Sequence, residues 1–171
     1  MAQELFNPTE LMGVLQDLAR DVKDNYKEHL ELHGRRASGT LLDSIYTQVE
    51  VRGSRYIVWI NMADYWKFVE EDTKPHWPPL DAILSWIRVK PIIPRPDANG
   101  KIPTPATLAF LIGRAMAGKS PNQANCKNPQ GGTTGTHDLR DTERAVIPMY
   151  VERLQEALHR DTLIFLEKIL P

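Results

Sequence analysis

Apolar side chains recur at spacings of four and three through Leu11, Leu15, Leu18, Val22, Tyr26 and Leu30, which is the period of one helix face. Ahead of them Asn7-Pro8-Thr9-Glu10 reads as a helix start, with Asn7 as N-cap, Pro8 at the first helical position and Glu10 reaching back to the cap. Gly34 stops the pattern. A helix of about 26 residues is ~39 Å long, more than a small domain needs, so part of its stripe is expected to be covered from outside the subunit.

The period then changes. After a polar bend at 35–40 and a short helical turn at 41–45, Tyr46 to Val51 and Arg55 to Asn61 are β-branched and aromatic, with Gly53-Ser54 between them as a tight turn. This predicts a β-hairpin over 46–61. Tyr56, Val58 and Ile60 alternate with Ile57 and Trp59, so both faces are expected to be covered. A short helix over 64–71 is broken by Pro75-His76-Trp77-Pro78-Pro79, and Pro79 starts another whose buried side is Leu80, Ile83, Leu84, Trp86 and Ile87.

Four prolines and Asp97-Ala98-Asn99-Gly100 mark a projecting loop over 88–103. Thr104-Pro105 caps a helix through Met116, ended by Gly118. Residues 119–136 carry almost no apolar side chain, so this second loop is expected to be mobile or ordered only by a partner. A helical turn from Asp138 reaches Pro148, which kinks it or begins a new helix. Beyond it Val151, Leu154, Leu158, Phe165 and Ile169 form a face that can pair with the first helix. The elements sum to a single α+β domain over 1–171, a small antiparallel hairpin packed against long N- and C-terminal helices with shorter helices between.

Composition narrows the function. At 171 residues, 42% hydrophobic and 25% charged, the chain is long enough for a sizeable core and unlike a disordered tail. Lys and Arg total 21 against 22 Asp and Glu, which disfavours a general nucleic-acid coat or a polybasic membrane binder. No basic-then-apolar leader opens the sequence, and its longest wholly apolar run, Leu108 to Ile112, is far too short to span a bilayer. The lone Cys126 has no disulfide partner and no neighbours at metal-ligand spacing, so a reducing compartment, no structural metal and no cofactor are expected.

Gly113-Arg114-Ala115-Met116-Ala117-Gly118-Lys119-Ser120 matches G-x-x-x-x-G-K-[ST]. As a phosphate loop its amides would cradle phosphates, Lys119 would reach the β and γ groups, and Ser120 would hold magnesium. The context argues otherwise. Pro121-Asn122-Gln123-Ala124-Asn125 has no helical face to place a helix N-terminus behind the anion, so these residues read as a helix end capped by Gly118. A phosphate- or NTP-binding protein using Gly113 to Ser120 remains the alternative.

Asp64, Glu70, Glu71 and Asp72, with His76 nearby, could serve acid–base or metal chemistry, but Lys67 and Lys74 are interleaved and a solvated or partner-facing surface fits better. His29 and His33 at i, i+4 lack a third ligand, and Ser38, Ser44 and Ser120 have no nucleophile-elbow setting. Trp59, Trp66, Trp77 and Trp86 fall in the central third, where core packing with an interface anchor is a better reading than base or peptide stacking.

Three blocks in order carry a family resemblance: Ala37-Ser38-Gly39-Thr40-Leu41-Leu42-Asp43-Ser44-Ile45; Ala63-Asp64-Tyr65-Trp66-Lys67-Phe68-Val69-Glu70 with Thr73-Lys74-Pro75-His76; and Pro79 through Trp86. Together with Leu108-Ala109-Phe110 to Gly118 and a Gly-Thr-rich loop before the last helix, the chain resembles tailed-bacteriophage neck, head-tail joining and tail-completion proteins over roughly residues 9–165. It departs from them at Asp72, where the family has Gly, and in the long loop from Lys90 to Pro103.

The resemblance implies a non-enzymatic virion protein. It would form a homo-oligomeric ring in the neck or tail, built in the bacterial cytoplasm, in contact with portal, adaptor or tail-tube proteins. Genomic DNA would pass through its channel without sequence-specific binding, and no membrane would be involved. The candidate interface residues are Tyr65, Trp66, Glu70, His76 and Trp77, with Arg88, Lys90, Arg95 and Lys101 on the loop. Those four cations against Asp97 make the loop +3, whereas Asp64, Glu70, Glu71 and Asp72 against Lys67 and Lys74 make the earlier block −2, so one subunit's loop is expected to meet the next subunit's acidic block.

Overall fold

In the computed structural model, which describes residues 8–34, 38–90, 92–96, 99–119 and 130–170, the apolar stripe of the first helix is buried as its spacing predicts. Helix α1 runs Thr9–Leu32 and buries Leu11, Leu15, Leu18, Ala19, Val22, Tyr26 and Leu30. Its start differs from the expectation. Asn7 lies outside the described residues, and Pro8 stands at the N-cap rather than inside the helix, with no side-chain cap bond of its own.

The cap comes from the far end of the chain. Glu10 N–H donates to Asp161 Oδ1 (3.1 Å) and Leu11 N–H to Asp161 Oδ2 (2.8 Å), so one carboxylate takes two donors that a helix start leaves unpaired. Asp161 lies on α6, Asp138–Ile169. At the other end of α1, His33 Nδ1 donates to Asp138 Oδ1 at 2.6 Å. Two acids of α6 thus hold the two ends of α1, which sets the helices antiparallel.

Between these pins Leu18, Val22, Val146 and Tyr150 form one cluster and Leu11, Leu15 and Ala157 another, with Val14 and Leu154 packed against both. Along the edge Arg153 donates to Asp17 (2.9 Å), Arg20 donates to the other Asp17 oxygen (2.6 Å), and the Tyr150 hydroxyl donates to Asp21.

Helix α6 narrows one expectation, since no new helix begins at Pro148, and corrects another. It is one 32-residue helix with Pro148 inside it. Pro148 and Arg144, whose carbonyl loses its partner to the ring, are both exposed, so water can satisfy the freed acceptor. The face turned to α1 is also different: Val146, Tyr150, Ala157 and Asp161 are buried, whereas Val151 (46% exposed), Leu158 (46%) and Ile169 (45%) point outward. The buried set lies about a quarter of a turn from the expected one, because the two acids decide which face meets α1.

The hairpin forms as predicted, β1 Tyr46–Arg52 against β2 Arg55–Asn61, in register from Tyr46↔Asn61 to Arg52↔Arg55. Gly53 takes φ 62°, the positive value that a two-residue hairpin turn needs. Val49, Tyr56, Val58 and Ile60 pack onto the α1–α6 clusters. The opposite face is not covered: Trp59 is 41% exposed. There Trp59 Nε1–H donates to Glu50 (2.7 Å), Arg52 donates to the other Glu50 oxygen (2.6 Å) and its guanidinium lies 5.6 Å from the indole centroid. The short helix α2, Thr40–Ser44, precedes β1; Ser44 Oγ donates to Leu41 O (2.7 Å) and accepts Ala63 N–H (2.9 Å), tying the helix to the chain after β2.

The chain divides into two compact units, the first comprising 1–34, 41–64 and 137–171 and the second 35–40 and 65–136. The second holds α3 Trp66–Glu70, α4 Leu80–Val89 and α5 Pro105–Met116. Thr104 Oγ1 caps α5 by accepting Thr107 N–H (3.2 Å), with Pro105 in the first turn. Gly113 lets α5 approach α4: a Cβ there would lie 3.3 Å from Leu80 Cδ2.

Residues 130–136, expected to be mobile or ordered only by a partner, are instead held by their own chain. Thr73 and Thr133 form a β-bridge with a 2.8 Å hydroxyl contact, Gly135 N–H donates to Asp72 Oδ1 (2.9 Å), Thr136 N–H to Val69 O (3.0 Å) and Gly132 N–H to Met116 O (2.7 Å). The glycines supply closeness. A Cβ on Gly132 would overlap the Thr73 carbonyl oxygen and one on Gly135 that of Glu70. The rest of that expected loop, 120–129, lies outside the described residues.

Candidate functional site

The candidate interface residues of the second unit fall into three groups. Tyr65 (42% exposed) and Trp77 (46%) are open to solvent, and Trp77 meets Phe110 edge-to-face at 5.6 Å. Trp66 is half-buried with Lys67 Nζ 6.0 Å from its ring centroid. Glu70 is the correction: at 6% exposed it is enclosed where Gly135 passes over its backbone, and its carboxylate is not presented to a partner.

His76 is exposed, with Nδ1–H on the Lys74 carbonyl (2.9 Å). Arg88, expected on the projecting loop, lies instead in the last turn of α4 and is exposed, as are Arg95 and Lys101 beyond it, and Lys90 stands 6.0 Å from the Trp86 centroid. Ile93 (91% exposed) and Ile102 (61%) lie on the segment that carries Arg95 and Lys101. None of the four tryptophans belongs to the buried core, so the expected core-packing role gives way to surface aromatics, several paired with a cation.

The acidic block is divided. Asp64 belongs to the first unit, Glu70 is buried, and Asp72 accepts the Gly135 amide. Glu71, Asp72, Lys67, Lys74, Phe68, Thr73 and His76 line an open hollow of about 440 Å³ whose charges alternate in sign. Such a lining suits contact with a mixed protein surface better than concentration of one ion.

The stretch from Gly113 to Lys119 takes the geometry of a helix end. Gly113 to Met116 are the last turn of α5, Gly118 is left-handed (φ 69°), and Ser120 lies outside the described residues. Ala117, Gly118 and Lys119 N–H donate to Gly113, Ala115 and Arg114 carbonyls, so the amides that would cradle a phosphate are used within the helix. A helix C-terminus also carries the partial negative charge that repels one.

In the first unit the Asp17 carboxyl is held below its ordinary range by the hydrogen bond from Arg153 and then that from Arg20. Glu50 is lowered by Arg52 and then by Trp59. Burial, and then donation to Asp21, pushes the Tyr150 hydroxyl up. Among the described residues no three His, Cys, Asp or Glu cluster to hold a metal, and no helix is long and apolar enough to cross a membrane.

The sequence reading missed the outward side of α6, where Ile147 (45%), Met149 (70%), Leu163 (46%) and Leu166 (39%) add to Val151, Leu158 and Ile169. It also missed Phe68, 68% exposed. The available signal was Asp161, an acid interrupting the apolar period between Leu158 and Phe165. No protein-family model, curated protein or solved structure matches the chain.

Proposed function

We propose that this chain is a structural subunit of a tailed-bacteriophage virion, assembling into a ring in the neck or tail around the DNA channel, against portal, adaptor or tail-tube proteins. The observation that supports assembly most directly is the outward stripe of α6: Ile147, Val151, Leu158 and Ile169 repeat at near-helical period, each about 45% exposed. A lone subunit would leave that stripe in water, whereas a neighbour would cover it. The ordered sequence blocks from Ala37 to Gly118 support the phage assignment, and the aromatic and cationic surface of the second unit suits protein contact.

Light scattering after size exclusion, with negative-stain imaging, tests this reading. A closed ring with a central opening is expected. A monomer at every soluble concentration, also absent from purified particles, overturns it.

A further inference from the structure

We infer that the free edge of β2 docks on β2 of a second copy of this chain, making one four-stranded antiparallel sheet across a two-fold axis. The sheet of the first unit has two strands only, so each strand has one edge without a neighbour. The two-residue turn Gly53-Ser54 fixes which backbone groups lie on that edge. It makes Arg52 and Arg55 a hydrogen-bonded pair, so the alternate pairs Glu50↔Ile57 and Gln48↔Trp59 also bond across the hairpin. The residues between them, Thr47, Val49 and Val51 on β1 and Tyr56, Val58 and Ile60 on β2, turn their N–H and C=O groups outward. Among the described residues none of these outward groups is bonded to a turn, a loop or a side chain.

Folded proteins ordinarily guard an open edge with a charge, a proline or a bulge. β1 carries Glu50 and Arg52. β2 has no charge after its first residue, Arg55, and no proline or glycine, and it runs in unbroken register. The helix that covers the sheet, α1, lies over β1 more than over β2, so β2 is the strand at its margin.

The register selects the occupant. About a two-fold axis at Val58, Tyr56 faces the partner's Ile60 and Val58 faces the partner's Val58. Every outward residue then meets an outward residue, and about six backbone bonds form. On the other face Ile57 falls opposite the partner's Trp59, a β-branched side chain against an aromatic one, and Arg55 opposite the partner's Asn61. No like charges meet. The partner's β1 matches less well. Aligning its outward row with that of β2 sets Arg55 against the partner's Arg52, and sliding two residues to avoid this gives up about a third of the bonds. Pairing β1 with β1 brings two Glu50 side chains diagonally together. The β2 contact closes at two subunits, so it is separate from the ring contact proposed above and does not rest on it.

Amide exchange on the full chain tests the edge directly. Where the chain self-associates, the Tyr56, Val58 and Ile60 amides are expected to exchange slowly and to speed up by about tenfold or more on dilution. Those of Ile57 and Trp59, bonded to β1, stay protected throughout. Asn61→Arg sets a second cation against Arg55 at both ends of the contact and should weaken self-association several-fold. Adding Arg55→Glu turns both repulsions into attractions and should restore it. Ile57→Lys with Trp59→Lys should abolish the pairing while the far-UV circular dichroism of the wild type is kept.

A chain monomeric at every soluble concentration overturns the inference; if it is also absent from purified particles, the ring reading falls with it. A two-subunit particle with the three amides protected supports the inference and overturns the ring. Rings in which those amides exchange freely overturn the inference and leave the ring reading standing. Slow exchange that Asn61→Arg does not change, or a loss that Arg55→Glu does not rescue, means that the partner's β1 or a segment of another protein sits on the edge, and the inference fails.

Discussion

Replacing Asp161 separates two accounts of how the long helices pair. Asp161 is 5% exposed and accepts two backbone donors at the start of α1, of which Leu11 N–H is buried and Glu10 N–H is partly wet. Hydrogen bonds to a charged group contribute about 1.5–3 kcal/mol, and an orphaned buried donor costs about 1–3 kcal/mol. Loss of an N-cap alone costs about 0.5–2 kcal/mol. Because these terms overlap, Asp161→Ala should destabilise by about 3 kcal/mol, lowering the thermal midpoint by about 6–12 °C for a chain of this size. Asp161→Asn keeps one acceptor oxygen and no charge, and should lose about half as much. Asp161→Leu completes the apolar period from Val151 to Ile169. Burial of a leucine would stabilise if apolar count governed the pairing, whereas the cap account has it destabilise at least as much as alanine. Thermal unfolding by circular dichroism gives the ranking, and amide exchange at Glu10 and Leu11 reports the cap itself. Wild-type stability in the alanine variant, a stabilised leucine variant, or a Leu11 amide that stays protected without the carboxylate would refute the reasoning.

At the other end of α1, His33→Ala leaves the buried Asp138 carboxylate without its ring partner; a loss of about 1–2 kcal/mol is expected, with non-additivity against Asp138→Asn in a double-mutant cycle of urea midpoints. Gly135→Ala should unfold or rearrange the second unit at a cost of about 3 kcal/mol or more, read as lost Trp77 and Trp86 fluorescence change on melting, because its Cβ would overlap the Glu70 carbonyl. Asp17 has a lowered pKa in the folded protein, so its contribution is present above the ordinary value near 3.8 and is lost as pH falls through the lowered one. The stability gap between wild type and Asp17→Asn should therefore be full at neutral pH and vanish in acid; a gap independent of pH would refute the pairing with Arg153 and Arg20. Lys119→Ala should leave ATP binding unchanged by calorimetry, since the amides beside it are used in α5.

How much was legible from sequence follows from which physical term decided each element. The stripe from Leu11 to Leu30 and the alternation from Tyr46 to Asn61 were read correctly because burial of one face dictates both, and the α+β class follows from them. Residues 130–136 were misread because composition stood in for geometry. Their glycines and threonines offer little to bury, so they looked unable to order themselves, yet small size is what lets Gly132 and Gly135 press against the backbone of Thr73 and Glu70. Two tryptophans were misread the same way, since hydrophobicity alone places Trp59 and Trp86 inside while each shows 40% or more of its surface.

The face of α6 turned on a competition that a count of apolar residues cannot see. Of the expected face Val151, Leu158 and Ile169 are left outside and Leu154 packs at the edge of the contact, while Val146, Tyr150, Ala157 and Asp161 hold its centre. Turning the richer stripe toward α1 would carry Asp161 and Asp138 away from Leu11 N–H and His33, leaving a helix start uncapped. It would also forfeit the Tyr150–Asp21 and Arg153–Asp17 bonds. The apolar side pays nothing final for losing, provided another molecule covers it. Leu154 keeps its place against α1 while Val151, Leu158 and Ile169 stay outside, and that exposure is what the proposed assembly rests on.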